Sequence, residues 1–275
     1  MAIESKWNRL TSLLHEMKSA VLAYSGGVDS SVVLKAASEV MGPRLIAVTA
    51  VSETYPEGEL ACAREFAGVL GVSHRILHTE ELASEEFLRN SPDRCYYCKR
   101  ELFGRLSRIA QQEGIPFVLD GSNADDLSDH RPGRRAASEF SVRSPLMEAG
   151  FSKPEVRELA RSFGLPVWDK PSLACLSSRI PYGTRITPEI LKTVQASEDL
   201  VRSFGFRQVR VRHHGNTARI EVDRGEFVRM LSDGLAEKVT AALKKLGYTY
   251  VCLDLEGYRT GSMNEGIWSK PTVSA

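Results

Sequence analysis

The stretch Tyr24-Ser25-Gly26-Gly27-Val28-Asp29-Ser30 constrains the chain more than any other, because it joins a short apolar run to an amphipathic one. Upstream, Ser19 to Tyr24 has the form of a buried strand; downstream, Ser31 to Ala37 reads as a helix packed on a sheet. The junction is therefore a strand-to-helix turn. Two adjacent glycines permit positive φ and leave no Cβ to block an anion, so successive N–H groups can converge on phosphate oxygens at the positive end of the helix. Ser25 and Ser30 add hydroxyl donors, and Asp29 either caps the helix or holds a magnesium ion. A tight turn with an N-cap has the same composition. No Gly-Lys-Ser/Thr follows, so this is not a Walker loop.

Further short apolar runs alternate with helical stretches. Trp7, Leu10, Leu13 and Leu14 mark a first amphipathic helix. Then come a strand over Leu45 to Val51, a helix from about Glu57 to Leu70 and the run His74 to His78. A helix from about Cys98 to Glu113 leads to the run Pro116 to Asp120. This pattern predicts an α/β fold, a parallel sheet flanked by helices, with ligands beyond the carboxyl ends of the strands. Ser25 to Ser30, Val51, Ser52 and Gly121 are expected to gather there as the nucleotide site. The polar loop from Asp120 to Arg135 offers Asp125 and Asp126 as magnesium ligands, although a solvated loop has the same character. Leu165 to Trp168 is expected as an edge strand closing the domain.

In this setting Ser25-Gly26-Gly27-Val28-Asp29-Ser30 resembles the signature of the PP-loop ATP pyrophosphatases, which cleave ATP to AMP and pyrophosphate while adenylating a substrate. The resemblance implies an adenine nucleotide alpha hydrolase-like fold and the cofactors ATP and Mg2+, with Val51 and Ser52 lining the adenine and ribose pocket.

Five cysteines, an odd number, suggest thiol chemistry or metal binding rather than a disulfide framework. Cys95 and Cys98 sit three residues apart where a helix opens, near a positive end that favours thiolates. Cys175 lies in a proline-bounded loop, Pro171 to Gly183. Cys62 and Cys252 are assigned to the core as small hydrophobes. For the other three, several chemistries stay open. A zinc site would need His130 or His214 as its fourth ligand, and a CxxC pair can act as a redox couple. Three thiolates on a four-iron cluster would leave one iron to bind hydrosulfide.

The signature taken with Arg94-Cys95-Tyr96-Tyr97-Cys98-Lys99, Gly121-Ser122-Asn123-Ala124-Asp125-Asp126, Cys175-Leu176-Ser177-Ser178-Arg179 and Asp254-Leu255-Glu256-Gly257-Tyr258-Arg259 resembles the LarE family over nearly the full chain. That family comprises ATP-dependent sulfur transferases that thiolate the pyridinium-3,5-biscarboxylic acid mononucleotide precursor of the nickel-pincer cofactor. The resemblance implies adenylation of a carboxylate, then attack by sulfur. In one branch the loop cysteine matching Cys175 gives up its own sulfur. In the other, to which Cys95 and Cys98 are similar, three cysteines bind a 4Fe–4S cluster that delivers sulfide from a sulfur donor.

A length of 275 residues with 42% hydrophobic content leaves room for a second, smaller α+β domain. Pro188 to Ser203 reads as a helix. Gln208 to His214 alternates strictly, turns at Gly215-Asn216 and returns through Ala218 to Val222 as a hairpin. A helix from about Phe227 to Leu246 and a strand over Tyr248 to Leu255 follow. The expected division is 1–170, the PP-loop domain; 171–187, the cysteine loop and linker; and 188–275, the substrate and oligomer domain. Arg210 and Arg212 share a strand face and, with Arg179, are candidates for the substrate phosphate, with Lys99 and Arg185 behind them. The alternative is a solvated strand face. In the resembled family this domain also contributes oligomer contacts, so a homo-oligomer is expected.

A net charge of +1 gives no electrostatic reason to expect nucleic acid, which counts against a tRNA-thiolating enzyme. Ammonia-using synthetases of the same superfamily have no need of the three cysteines, and a regulator with structural zinc predicts no ATP cleavage. No signal pattern opens the sequence and no apolar run approaches spanning length, so a cytoplasmic location without membrane partners is expected.

Overall fold

In the computed structural model, residues 2–55, 59–127, 132–171, 174–259 and 261–264 are described. They form two compact units, Met1–Leu173 and Ala174–Ala275, so the Cys175 loop belongs to the second.

The first unit runs α1 (Ile3–Met17), β1 (Ala20–Ala23), α2 (Val28–Met41), β2 (Leu45–Val51), α3 (Glu59–Val69), β3 (Ser73–His78), α4 (Glu85–Leu88), α5 (Arg94–Gln112), β4 (Val118–Leu119), α6 (Gly133–Glu139), α7 (Pro145–Ala149) and α8 (Lys153–Ser162). Its strands pair in parallel in the order β3-β2-β1-β4. The continuous apolar runs of β1 and β2 follow from burial on both faces. Leu22, Leu45 and Ala47 face one core with Leu10, Leu14, Leu34, Phe151 and Leu159. Val21, Ile46 and Val48 face another with Phe103, Leu106 and Val118. The helix carrying the CxxC pair starts at Arg94, earlier than expected, so Cys95 and Cys98 both lie in its opening turns.

Leu165 to Trp168 is not an edge strand. Pro166 has no ladder donor, and the segment turns instead, with Trp168 N–H on Leu165 O and Lys170 N–H on Val167 O. The place beside β4 goes to Arg143, whose backbone bridges Val118 and Asp120. Cys62 is also reassigned. α3 buries Ala63, Phe66 and Ala67, which leaves Cys62 on the exposed side.

The second unit contains α9 (Pro188–Ser203), β5 (Val209–His214), β6 (Thr217–Val222), α10 (Phe227–Leu231), α11 (Leu235–Lys245) and β7 (Tyr250–Leu253). β5 and β6 form the expected hairpin, and β7 joins β6 in parallel. The single helix expected over Phe227 to Leu246 breaks at Asp233 and Gly234, both with positive φ. Cys252 is exposed, because β7 turns Tyr250 and Cys252 outward in alternation. Among the described residues no helix is long and apolar enough to cross a membrane.

Candidate active site

The nucleotide loop is built where β1 hands over to α2. Gly26 has φ +71° and lies against α3, where any Cβ would come within 3.2 Å of Ala63 Cβ. Gly27 is the N-cap and carries no capping side chain, so the amides at the start of α2 have no side-chain acceptor there. Asp29 is therefore not the cap. The Ser25 and Ser30 hydroxyls meet at 3.2 Å over the helix start, and Ser30 also accepts the Ser25 N–H. Tyr55 donates its hydroxyl to Ser25 O at 3.1 Å. Burial, and then the charge of Glu59, push the Tyr55 phenol upward, which keeps it a donor. Tyr55 is aimed from the turn after β2, where Val51 O accepts Thr79 N–H and Ser52 bonds the Thr54 hydroxyl.

From the other side, the loop after β4 closes on the same helix start. A Cβ on Gly121 would stand 2.8 Å from the Ser30 backbone nitrogen, so the approach requires glycine. Buried Asp120 ties this loop together through Ser122 and Ser144. Asp29 accepts from Asn123 Nδ2 at 3.1 Å and from the Lys153 ammonium. The magnesium candidates Asp125 and Asp126 brace the loop: Asp126 takes the Asn123 N–H and Asp125 the Lys153 N–H. Asn123 belongs to the Asp120–Asn123 loop expected beside the phosphate loop, whereas Lys153 was not singled out in the sequence, since a lysine opening a helix looks like scaffold. Ser128–Arg131, including the suggested zinc ligand His130, lie outside the described residues.

Cys95 is exposed, and the Cys98 thiol points at Glu81 Oε1, 3.7 Å away, on a cleft of about 770 Å³. Glu81 is buried and also accepts from Thr79. Lys99 lies over the Phe103 ring at 5.1 Å.

In the second unit Cys175 is exposed and begins a short turn that Arg179 holds from beneath. Arg179 is 1% exposed; it grips Glu198 with two nitrogens at 2.7 and 3.0 Å and donates to the Ala174 and Cys175 carbonyls. Arg212 does the same one layer on, bidentate to Glu221 at 2.8 and 2.6 Å and donating to Ser178 O. The strand face carrying Arg210 and Arg212 is thus buried, contrary to the solvated alternative. Arg179 and Arg212 are engaged with carboxylates that the sequence did not mark. Burial pushes Glu198 upward, but Arg179 and Arg210 outweigh it and hold its carboxyl below the usual range. Arg210 lies 5.3 Å from the Tyr258 ring and is pushed down to about 10 by burial and by Arg179. The corner thus gathers three buried guanidinium groups, two of them matched bidentately by buried carboxylates.

Among the described residues no three histidine, cysteine, aspartate or glutamate side chains converge as a metal site. The donor chemistry still fits in kind. Cys95, Cys98 and Cys175 are thiols outside any disulfide, of the kind that iron takes, and Asp29 offers carboxylate oxygens, here engaged by Asn123 and Lys153.

A parallel sheet with this loop at its carboxyl edge defines the PP-loop class, and the asparagine synthase family model accordingly matches residues 19–186. Over 96% of both chains, the sequence is 39% identical to pyridinium-3,5-bisthiocarboxylic acid mononucleotide synthase of Lactiplantibacillus plantarum. It is 43% identical to an uncharacterized Synechocystis protein over 95% of this chain and 98% of that one. A Methanocaldococcus jannaschii protein, also uncharacterized, is 28% identical over 88% and 92%. The chain belongs to the LarE family and is an ATP-dependent sulfurtransferase.

Proposed function

We propose that the protein thiolates pyridinium-3,5-biscarboxylic acid mononucleotide in two steps. A substrate carboxylate oxygen attacks the α-phosphorus of ATP and pyrophosphate leaves. The amides opening α2, Ser25, Ser30 and Lys153 stabilise the charge on that leaving group, and Asp29, now paired with Lys153, would hold a magnesium ion that neutralises phosphate charge. Sulfur then attacks the acyl adenylate carbon and AMP departs, giving a thiocarboxylate. Adenylation supplies the leaving group that a carboxylate lacks. The substrate phosphate meets the corner of Arg179, Arg210 and Arg212, with Lys99 a weaker contact; Arg179 and Arg212, paired with Glu198 and Glu221, set the corner that the phosphate would share.

A 4Fe–4S cluster held by Cys95, Cys98 and Cys175 would supply, when bound, an iron able to carry the attacking sulfide. Cys98 joins it only by turning its thiol from Glu81. The exposed Cys175 thiol supports a second reading, in which it attacks the acyl carbon itself, AMP leaves, and loss of its Cα proton with cleavage of the Cβ–S bond leaves dehydroalanine here and the thiocarboxylate on the substrate.

The observation that carries the proposal is that one chain holds both an SGGVDS loop opening α2 and, in its second unit, an exposed cysteine in an arginine-braced turn. Anaerobically reconstituted protein given ATP and the mononucleotide is expected to release pyrophosphate and form thiolated product. Cys175→Ala should keep the first and lose the second. Activity surviving Cys95→Ala and Cys98→Ala, with Cys175 converted to dehydroalanine, would remove the cluster and leave the second reading.

A further inference from the structure

Two consecutive carbonyls at the entrance of the nucleotide loop are gripped by side chains from β2 and the turn after it. Thr49, buried in β2, donates its hydroxyl to Tyr24 O at 2.7 Å, and Tyr55 donates to Ser25 O at 3.1 Å. A trans peptide unit is planar, with its C=O and N–H pointing in opposite directions, so holding one end aims the other. The unit that begins at Tyr24 O ends at the Ser25 N–H, which reaches Ser30 Oγ at 3.3 Å. The unit that begins at Ser25 O ends at the Gly26 N–H. Gly26 is buried, and among the described residues its N–H meets no acceptor. Such a donor, beside the opening of α2, would be satisfied by an anion. Thr49 has a second partner. Its one hydroxyl proton goes to Tyr24 O, so in the 2.8 Å contact between Thr49 Oγ1 and His74 Nε2 the imidazole donates, and His74 carries its proton on Nε2. His74 stands in β3 opposite Ala47, on the sheet face that Thr49 shares. Burial, and then Arg64, lower its pKa, which keeps the ring neutral near neutrality, and Tyr24 packs edge-on against it at 5.7 Å.

From this geometry we infer that Thr49, backed by His74, and Tyr55 are positioning residues for nucleotide binding. By gripping the Tyr24 and Ser25 carbonyls they aim the Ser25 and Gly26 amides, and with them the Ser30 hydroxyl, at the phosphates of ATP. The polar atoms that make these bonds are spent on carbonyls and on each other, so all three residues act through the loop backbone. A hydroxyl buried in a parallel strand costs stability unless it is bonded, and Tyr24 O and His74 together account for Thr49. The inference rests on the reading of this loop as the phosphate site.

Two ligands separate aiming from general damage. An α,β-methylene analogue of ATP uses the aimed amides, whereas AMP lacks the outer phosphates and reports the rest of the pocket. In titration calorimetry with magnesium, Tyr55→Phe, which keeps the ring, should weaken binding of the analogue about fivefold, the weight of one neutral hydrogen bond. AMP binding should be unchanged. Thr49→Val should weaken the analogue at least as much, and Thr49→Ser, which keeps the hydroxyl, should restore it. Equal weakening of both ligands, or of neither, overturns the inference. The His74 contact has a readout of its own that needs no nucleotide and no Thr49 variant. In magnetic resonance spectra of protein with isotope-labelled histidine, the ring whose signals vanish in His74→Gln should be the neutral Nε2–H tautomer; an Nδ1–H ring overturns the role given to His74. If native protein binds the analogue no more tightly than AMP, the phosphate reading fails and takes the inference with it. If native protein discriminates and Tyr55→Phe and Thr49→Val match it, the inference alone fails.

Discussion

Gly121 shows how tightly single residues are specified at the nucleotide loop. Its φ is ordinary; what requires glycine is the backbone nitrogen of Ser30 at 2.8 Å from the position of a Cβ. Because that neighbour is backbone at a helix start, it cannot rotate away, so the cost falls on the phosphate cradle. Gly121→Ala is expected to raise the KM for ATP on the order of tenfold or more while the chain stays folded. Pyrophosphate release against ATP concentration, beside a circular dichroism spectrum, checks it. An unchanged KM would mean that the β4 loop yields freely. The cradle was legible because Gly26, Gly27 and the strand-to-helix switch are local in sequence. Its distant support was not: Lys153 reaches Asp29 across a separation of 124 residues. Glu198, the carboxylate under Arg179, sits within an amphipathic helix where nothing distinguishes a buried glutamate from a solvated one.

At the scale of elements, periodicity located the strands and helices and failed where special contacts intervened. β1 and β2 were readable as unbroken apolar runs because both faces are covered. Leu165 to Trp168 was misread as a strand because apolar Leu165 and Val167 alternate like one, while Pro166 and the Arg157 clamp on Trp168 O and Lys170 O hold a different backbone. α8 is secured by a capping box in which Glu155 accepts the Ser152 N–H at 2.8 Å, and Lys6 of α1 adds an ion pair at 2.6 Å. Lys6 first, then the Ser152 backbone, hold the Glu155 carboxyl down at about 2, from 4.5. A carboxylate depressed in the folded state contributes stability that is whole above its unfolded pKa and disappears as pH falls through the folded value. Glu155→Gln keeps an acceptor for the Ser152 N–H but loses the charge facing Lys6, and should therefore cost up to about 1 kcal/mol near neutrality, the weight of an ion pair near the surface. The gap between native and variant melting temperatures should close as pH falls from 4.5 toward 2. A gap that is constant over that range would show that the ion pair carries no stability.

On the scale of the whole molecule, the chemistry is divided between units with separate cores. The phosphate loop, Asp29, Lys153 and the CxxC pair belong to the first, while Cys175 and the arginine-rich corner belong to the second. A ligand stabilises only the structure it contacts, and at a hundredfold excess over Kd that amounts to about 2.7 kcal/mol, roughly a hundredfold in exchange rate for amides that open with the unit. An α,β-methylene analogue of ATP should thus slow hydrogen exchange at residues 25–31, 52–55 and 121–123. Amides of β5 and β6 should respond instead to the mononucleotide, whose phosphate the second unit is proposed to hold. Mass-resolved exchange with each ligand alone, then both, measures the division. If the nucleotide analogue alone protects β5 and β6 as strongly as the loop, the two units open together and the arginine corner is coupled to ATP. If each ligand protects its own unit, adenylation can proceed in the first with the second still loose, and sulfur transfer must wait for both.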